Sequence, residues 1–331
     1  MSAGTFDLLT PHVAVQAIES VIGVHVDGSL ASFPSYVNRV YGFAAADGRQ
    51  YVAKFYRPGR WTYEAIEEEH RLVGECAALD LPVVVPIADD DGDRLHLVGA
   101  AGPDREQEFS FSVYPKRNGR TFDADRDEDW LRIGSLVGRL HVAAAHGGAE
   151  HRITCTPQSS TSRFLDELDE AELVPPDLDA EFYDLADAAV ERIAPLFDGV
   201  ALQRLHGDCH RGNILDRAEE GLLIIDFDDM MVGPAVQDLW LLLPGRVADS
   251  RRELGLLLEG YEEFQPFDRA TVALIEPLRL MRMVYYLAWQ ALQRHDLRFR
   301  ESFPQWGGRA FWEQEIEDLR TQLGVISDQL G

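Results

Sequence analysis

The sequence predicts an α+β protein of two lobes, a small β-rich N-terminal lobe with one prominent helix and a larger, mostly helical C-terminal lobe. Alternating aromatic and β-branched runs stand on both sides of Asp47-Gly48, which is a typical hairpin signal. From about residue 129 onward, helical spacing of apolar residues dominates. A length of 331 residues with 46% hydrophobic composition is enough to bury a large core divided between two lobes.

The N-terminal lobe is predicted to span residues 1–113. It begins with a helix over 12–23 that Gly23 ends, followed by the hairpin strands SYVNRVYGF and YVAKFY. A second helix is predicted in TYEAIEEEHRLVGECAAL because its apolar residues recur at helical spacing. Three further strands are expected in LPVVVPI, RLHLVG and EFSFSVY, and residues 114–119, with Pro115 and Gly119, then form a hinge.

The C-terminal lobe is predicted to span residues 120–331 and to be built from helices. One short β-rich interruption is expected, from the HGD segment through LLIIDFDD. On the polar side of the late helix that contains MRMVYYLAWQALQ, Arg279 and Arg282 either meet an acidic substrate or balance the acidic surface, and we expect the second. The predicted helices are DWLRIGSLVGRLHVAAA, FLDELDEAEL, EFYDLADAAVERIAPLF, ELGLLLEGYEEF and ATVALIEPLRLMRMVYYLAWQALQ.

The charge balance limits the possible partners. A formal net charge of −26, spread along the chain, repels nucleic acid, so no nucleic-acid partner is expected. ATP would meet the same repulsion and would need Mg²⁺ and a few well-placed cations. The three cysteines fit neither a disulfide framework nor a zinc pattern, and neither a leader nor a membrane span is expected. We therefore expect a cytoplasmic protein that does not bind membranes, with a monomer as the default.

Lys54 lies inside the predicted strand YVAKFY, among apolar and aromatic residues. Such a lysine either extends its amine to the surface or provides a fixed cation for the phosphates of a nucleotide. In the second case a glutamate on the next helix would hold it, and Glu69, or failing that Glu68, has a suitable place.

The stretch HGDCHRGNIL, residues 206–215, contains Asp208 and, five positions later, Asn213. A tight loop with this spacing can direct the carboxylate at an incoming hydroxyl while the amide oxygen reaches a metal ion on the phosphates. A zinc site using His206, Cys209 and His210 is an alternative, although the intervals do not suit one helix face. A purely structural polar loop is another alternative.

Asp226 ends the apolar strand in LLIIDFDD. A carboxylate at such a strand end can hold Mg²⁺ that bridges phosphate oxygens, although an acidic turn after a strand is common. A strand lysine, a helix glutamate, a hinge, Asp-x₄-Asn and a strand-terminal aspartate occur here in the order that a bilobal kinase requires. Together they predict nucleotide-dependent phosphoryl transfer.

On these motifs the sequence resembles the protein-kinase-like superfamily, on the branch of the aminoglycoside phosphotransferases and choline kinases. More narrowly, it resembles the stress response kinase A family of bacterial serine/threonine protein kinases. That resemblance runs from about residue 5 to residue 320. It is carried by SYVNRVYGF, YVAKFYRPGRWT, EEEH, QRLHGDCHRGNIL, DFDD, GPAVQDLWLLL, YEEF and IEPLRLMRMVYYLAW.

The resemblance implies a bilobal protein-kinase-like fold that uses ATP and Mg²⁺. It implies that Asp208 is the catalytic base and that Asn213 and Asp226 bind magnesium, Asp226 being counted with Asp208 among the catalytic residues. Nucleotide contacts are implied for Lys54, for Ser35 near the phosphates and for Tyr114 at the hinge against adenine. The implied activity is the phosphorylation of serine or threonine residues of proteins when the bacterial cell is under stress.

The sequence departs from ordinary protein kinases in ways that keep alternatives open. No G-x-G-x-x-G precedes Lys54, and Asp228 stands where the DFG motif has glycine. A small-molecule kinase acting on an aminoglycoside, choline, homoserine or a sugar is the main alternative, since the acidic charge suits a cationic acceptor. A pseudokinase is a weaker one. We further expect His206 to orient the loop, Asp238 to bond that loop or cap the next helix, and Cys209 to be a buried thiol.

Overall fold

A computed structural model describes residues 4–35, 37–103 and 105–330 of the chain. Its contacts divide the chain into two units. The first unit contains the chain up to Arg120 together with Leu215–Asp228 and Gln293–Ser302. The second contains Thr121–Ile214, Asp229–Leu292 and the chain from Phe303 onward. The predicted lobes divide the chain at a single hinge, whereas two late segments belong to the first unit.

Most strands lie early in the chain, in an antiparallel sheet, and helices dominate later, so the predicted α+β class is confirmed. The strands are β1 (Val26–Ser32), β2 (Arg39–Ala45), β3 (Gln50–Phe55), β4 (His96–Ala101), β5 (Glu106–Pro115), β6 (Arg120–Thr121), β7 (Gln203–Leu205), β8 (Ile214–Asp216), β9 (Leu222–Ile224) and β10 (Met231–Gly233). The helices are α1 (Pro11–Ile22), α2 (Tyr63–Ala78), α3 (Asp127–Ala144), α4 (Ser162–Glu170), α5 (Asp179–Ile193), α6 (Val236–Trp240), α7 (Arg251–Glu262), α8 (Ile275–Ala291), α9 (Leu297–Ser302) and α10 (Arg309–Leu330).

The first unit is built on a five-stranded antiparallel sheet in the order β1-β2-β3-β5-β4. The predicted hairpin joins β2 to β3, and Gly48 in its turn has φ 84°, a conformation that favours glycine. In this register Lys54 lies opposite Val40 on one side and Ser112 on the other. The sheet therefore places Lys54 on its central strand.

Aromatic side chains fill the core of this unit. Phe55 and Phe111 stack with their ring centroids 5.0 Å apart, and the helix α1 buries Ala14 and Ile18 in the same cluster. Thr10 caps α1 by accepting a hydrogen bond from the Val13 amide, and Gly23 ends the helix with φ 66°. Both ends of this helix follow from local sequence.

Two elements of the first unit differ from the prediction. The segment LPVVVPI forms no strand, because its two prolines have no N–H to donate to a sheet. Its polar groups are satisfied in part by isolated bonds, such as the one from the Ile224 amide to the carbonyl of Pro82. Strand β1 was not predicted, because VDGSLAS is polar and mostly exposed, as suits the edge strand that it is.

Two helices of the second unit, α3 and α7, pack against each other at very short range. A Cβ atom added to Gly134 of α3 would lie 2.1 Å from the carbonyl oxygen of Leu257 on α7, and one added to Gly260 would lie 2.1 Å from that of Leu131. These two helices therefore need glycine where their backbones touch. A separate core joins α4, α5, α8 and α10, with Phe182 and Trp312 packed edge to face at 5.2 Å.

A short antiparallel pair, β7 with β10, places two segments of the second unit side by side. Leu205 lies opposite Met231, so the loop that starts at His206 runs beside the chain that leads into β10. Among the described helices, none combines the length and the apolar character needed to cross a bilayer.

Candidate functional site

Lys54 of the first unit is surrounded by carboxylates. Its Nζ atom lies 2.9 Å from Oδ1 of Asp228, 3.2 Å from Oδ1 of Asp226 and 3.8 Å from Oε1 of Glu69. Burial alone would lower the pKa of Lys54, but the charges of Asp228, Glu69 and Asp226 outweigh it and hold the pKa well above its ordinary value. The lysine is therefore a permanent cation at neutral pH.

Lysine at position 54 stands out against the composition of the chain. Only two of the 31 basic residues are lysines, Lys54 and Lys116, and the others are arginines. Arginine offers a planar fork of donors, whereas lysine is a compact point charge. The cation that these carboxylates surround is thus a compact point charge, in a chain whose other basic side chains are nearly all arginines.

Asp228 is the neighbour of Lys54 that the sequence analysis did not assign. Its side chain is buried, and its carboxylate pairs with both Lys54 and Arg60. The sequence signal was the acid at the position where protein kinases have the glycine of DFG, but nothing local indicated its partners. Its place in this cluster gives the first unit three carboxylates around one lysine.

Asp226 has the opposite character. It follows β9 with φ 63°, an uncommon conformation for a residue other than glycine, and its side chain is 54% exposed. Left-handed backbone of this kind persists only where surrounding structure holds it, and it is enriched at functional sites. The carboxylate is therefore presented outward, where an incoming ligand can reach it.

A cavity of about 250 Å³ lies in the first unit beside these groups. Lys54, Glu69 and Asp226 line one part of it, together with Ser35. Much of the remaining wall is aliphatic, from Val40, Val52, Val73, Val84, Leu215 and Ile224. An apolar slot next to a fixed cation suits a flat heterocycle that carries phosphates. Of the stretch SYVNRVY expected near the phosphates, Tyr36 lies outside the described residues.

Tyr114 also lines the cavity, but it lies in strand β5, paired with Val52, rather than in a loop. Its hydroxyl is 3.0 Å from that of Tyr56 and 3.3 Å from Nε2 of His70. Burial raises the pKa of both tyrosines, so both hydroxyls remain protonated. Because His70 directly follows Glu69 on α2, this cluster ties the sheet to the turn of helix that carries Glu69.

The loop that starts at His206 is fixed within the second unit by Asp238. This fully buried aspartate accepts hydrogen bonds from the backbone amides of His206 at 2.8 Å and Gly207 at 2.9 Å, and it lies 3.0 Å from Nε2 of His141. Gly207 has φ 85°, and a Cβ atom there would lie 1.9 Å from the carbonyl oxygen of Asp229. The prediction that Asp238 bonds the loop is confirmed.

Asp208 and its neighbours are connected by hydrogen bonds within that loop. The Asp208 amide donates to Nδ1 of His206 at 3.3 Å, which matches the expected orienting role of this histidine. The side-chain amide of Asn213 donates to the carbonyl of Asp208 at 3.0 Å. Cys209 is fully buried, as expected, and burial raises the pKa of its thiol well above the ordinary range.

The Asp208 carboxylate itself meets two basic side chains. Oδ1 accepts from Nη2 of Arg282 at 2.5 Å, and Oδ2 lies 3.4 Å from Nε2 of His210. Burial would raise the pKa of Asp208, but the hydrogen bond from His210 and the charge of Arg282 outweigh it and lower the pKa. The expectation that Arg282 balances the acidic surface was wrong, whereas Arg279 does pair with an acid, Glu276.

Each unit, taken by itself, offers an oxygen atom of the kind that magnesium binds. Asp226 offers an exposed carboxylate, and the bond from Asn213 Nδ2 leaves Oδ1 as the end of that amide that could bind a metal. Within the described ranges, no three His, Cys, Asp or Glu residues are grouped to hold a metal ion. Magnesium bound by one or two side chains and by phosphate oxygens needs no such group.

Comparison with known proteins gives the family. Residues 30–275 match the model of the phosphotransferase enzyme family. The chain is 37% identical to stress response kinase A of Escherichia coli K12, over 99% of this chain and 96% of that protein. It is 36% identical, with the same coverage, to the serine/threonine protein kinase RdoA of Salmonella typhimurium LT2.

Solved structures with low sequence identity share the fold. A structure of the amicoumacin kinase hAmiN with AMP-PNP, Ca²⁺ and Ami has a TM-score of 0.71 at 17% identity, covering 93% of each chain. A microcompartment-associated aminopropanol kinase has a TM-score of 0.69 at 18% identity, covering 97% of this chain and 98% of that one. The predicted protein-kinase-like fold is thereby confirmed. The chain belongs to the phosphotransferase enzyme family and, within it, is a kinase of the stress response kinase A family.

Proposed function

We propose that this kinase transfers the γ-phosphate of ATP, with Mg²⁺, to serine or threonine of a protein, as part of a bacterial stress response. The observation that carries the proposal is Lys54, a buried cation that three carboxylates hold beside an apolar cavity. The names of the relatives, a stress response kinase and a serine/threonine protein kinase, support the acceptor and the setting. We further propose that it acts in the cytoplasm as a monomer.

In this proposal the first unit binds the nucleotide. Lys54 contacts the phosphates as a point charge, and Glu69 holds the amine in place whether or not the nucleotide is bound. Ser35 lies near the phosphates, and the aliphatic wall of the cavity receives the adenine ring. Tyr114 contributes from β5, where its hydroxyl is already engaged with Tyr56.

The second unit provides the catalytic base. Asp208 accepts the proton of the acceptor hydroxyl, and its lowered pKa keeps the carboxylate ionised at neutral pH. A carboxylate of low basicity orients the hydroxyl more than it removes the proton early, which suits the loose transition state of phosphoryl transfer. Asn213 and Asp226 are the proposed magnesium ligands. Bound Mg²⁺ would neutralise charge on the phosphate oxygens.

The first test uses the scarcity of lysine. An ATP acyl phosphate acylates a lysine amine close to the bound phosphates, and this chain has only Lys54 and Lys116. We expect Mg²⁺-dependent labelling of Lys54 that excess ATP prevents, with Lys116 as the internal control. Equal labelling of both lysines without protection by ATP would contradict the nucleotide site.

The second test follows the phosphate. Wild type and Asp208→Asn are compared for transfer from γ-labelled ATP to generic protein acceptors and to a panel of aminoglycosides and amino alcohols. Asp198→Asn, an exposed aspartate of the second unit, is the matched control. We expect label on protein serine or threonine, a loss of at least about a hundredfold in Asp208→Asn, and no change in the control. A folded Asp208→Asn enzyme at the wild-type rate would refute the base.

A small-molecule kinase is the second candidate, and a specific observation favours it. Structures with the same fold include an amicoumacin kinase and an aminopropanol kinase, whose names indicate small acceptors. Label confined to a small molecule in the assay above would select this candidate and leave the proposed roles of Lys54 and Asp208 unchanged.

A further inference from the structure

The two oxygens of the Asp208 carboxylate have different surroundings. Oδ1 is bonded to Arg282 at 2.5 Å, and Oδ2 lies 3.4 Å from the His210 ring. The side chains remain accessible, with 20% of Asp208 and 29% of Arg282 exposed. An acceptor hydroxyl that reaches Oδ2 would therefore approach a carboxylate whose other oxygen is already neutralised by a guanidinium.

Arg282 is held in this position by its own helix. Its guanidinium lies 5.8 Å from the ring centroid of Tyr285, almost one turn later on α8. The Tyr285 hydroxyl donates at 2.6 Å to Oδ1 of Asp229, whose carbonyl oxygen packs against Gly207 in the catalytic loop. The arginine is thus tied to the loop through its bond to Asp208 and through this second chain of contacts.

The charges near the acceptor position explain what Arg282 changes. Without it, the carboxylates of Asp208 and Asp229 would form a negative site in an already acidic protein, and such a site attracts ammonium groups. With it, one positive charge lies directly on the reacting carboxylate. Arg282 therefore neutralises Asp208, and the preference for cations that the net charge of −26 suggests is removed at the reacting carboxylate itself.

We propose that Arg282 determines acceptor specificity, because its guanidinium favours a hydroxyl without a neighbouring positive charge and disfavours amino alcohols. This inference rests on the proposed role of Asp208 as the base, and it deepens that role by naming the acceptor class. The favoured acceptors are uncharged hydroxyls, such as serine or threonine in a peptide whose adjacent residues are neutral or acidic.

The reaction is the same for either acceptor class. The acceptor oxygen forms a bond to the γ-phosphorus of ATP, the bond from that phosphorus to the β,γ-bridging oxygen breaks, and ADP leaves. The hydroxyl proton passes to Asp208. A β-amino alcohol carries its ammonium about one ethylene unit from the reacting oxygen, within direct reach of the Arg282 charge. Between unit charges at a partly solvated site, we expect the charge of Arg282 to lower kcat/KM for such an acceptor by about tenfold.

The test compares acceptors that differ only in charge. One pair is 1-amino-2-propanol and 1,2-propanediol, and the other is a serine peptide with lysine or norleucine beside the serine. The measured quantity is the ratio of kcat/KM for the cationic acceptor to kcat/KM for the neutral one. Wild type is compared with Arg282→Gln, with Arg282→Lys and with Arg320→Gln, an exposed α10 arginine paired with Glu181 and Glu317.

We expect wild type to give the cationic member of each accepted pair no advantage over the neutral member, because Arg282 offsets the charge of Asp208. In Arg282→Gln the ratio should rise by about tenfold, whereas Arg282→Lys and Arg320→Gln should keep the wild-type ratio. If Arg282→Gln changes the ratio by less than about twofold, the proposal is overturned. Arg282 would then affect both acceptors equally, as expected of a residue that only positions the base.

Other outcomes separate this inference from the function on which it rests. If Arg282→Gln does not fold, the wild-type ratio decides, and a wild-type preference for the cationic acceptor overturns the selectivity. Transfer that persists in Asp208→Asn would instead refute the base, and with it the reason for a selectivity centred on Asp208. A wild-type enzyme without preference for the cationic acceptor, together with loss of transfer in Asp208→Asn, supports both.

Discussion

Replacing Asp238 by alanine removes the buried anchor of the loop that starts at His206. Its carboxylate accepts from the amides of His206 at 2.8 Å and Gly207 at 2.9 Å and contacts His141 at 3.0 Å, with no exposure to solvent. A buried donor left without its acceptor costs about 1–3 kcal/mol, and three are affected here. Because the loop can relax, we expect the free energy of unfolding to fall by about 3–5 kcal/mol.

The asparagine variant tests the same reasoning more finely. If its side-chain oxygen replaces Oδ2 of Asp238, it keeps the contacts with His206 and His141, but its NH₂ group then faces the Gly207 amide, donor against donor. Only one of the three bonds is lost. We therefore expect Asp238→Asn to lose about 1–3 kcal/mol, less than alanine.

The assay is urea unfolding combined with amide hydrogen exchange of the peptide around residues 204–210. Hydrogen exchange is needed because a chain of two units can unfold in more than one transition. Asp249→Ala, an exposed aspartate of the same unit, is the control and should change neither measurement. An Asp238→Ala protein within about 1 kcal/mol of wild type, with His206 and Gly207 still protected from exchange, would refute this account of the loop.

Three further predictions concern packing, pH and the lysine cluster. Gly134→Ala should destabilise the protein by about 2–4 kcal/mol, because its Cβ atom would lie 2.1 Å from the carbonyl oxygen of Leu257, whereas Gly255→Ala, on an exposed and open face of α7, should be neutral or stabilising in the same melting experiment. Burial raises the pKa of Glu315 to about 7, above its unfolded value, so its contribution to stability is lost as the pH rises through about 7. At pH 8, Glu315→Gln should thus be more stable than wild type by roughly 1 kcal/mol after allowance for solvent screening. At pH 5 this advantage should not be larger, and urea midpoints of both proteins at the two pH values measure it. Asp228→Asn should lower the unfolding midpoint, since it removes a buried carboxylate from Lys54, and an unchanged midpoint would contradict the cluster.

Several features of the fold could be predicted because local chemistry determines them. The first hairpin follows from Asp47-Gly48, and α1 follows from its capping threonine and terminal glycine. The segment LPVVVPI was misassigned, since apolar composition suggested a strand while two prolines removed donors from the ladder. Strand β1 was missed because an exposed edge strand needs no apolar alternation.

The sequence also predicted which residues of the candidate site carry its reactive side chains. Asp208, Asn213 and Asp226 were recognised from spacing, and Lys54 from its apolar strand, because each motif places a reactive side chain in a recognisable local context. Their roles remain proposals. What the motifs could not provide was the set of groups that touches each of them.

Those contacts come from residues far apart in the chain. Asp228 lies 174 positions after Lys54 and Arg282 lies 74 positions after Asp208, yet each forms an ion pair with that residue. A short stretch of sequence reveals neither the partner of a charged residue nor its burial. Both are needed to recognise such a pair, because an ion pair is strong only where water is excluded and a second charge is held close. The sequence by itself determined that this chain carries the residues of a phosphotransferase. Only the tertiary structure decided that a third carboxylate, that of Asp228, contacts Lys54 and that the guanidinium of Arg282 contacts Asp208.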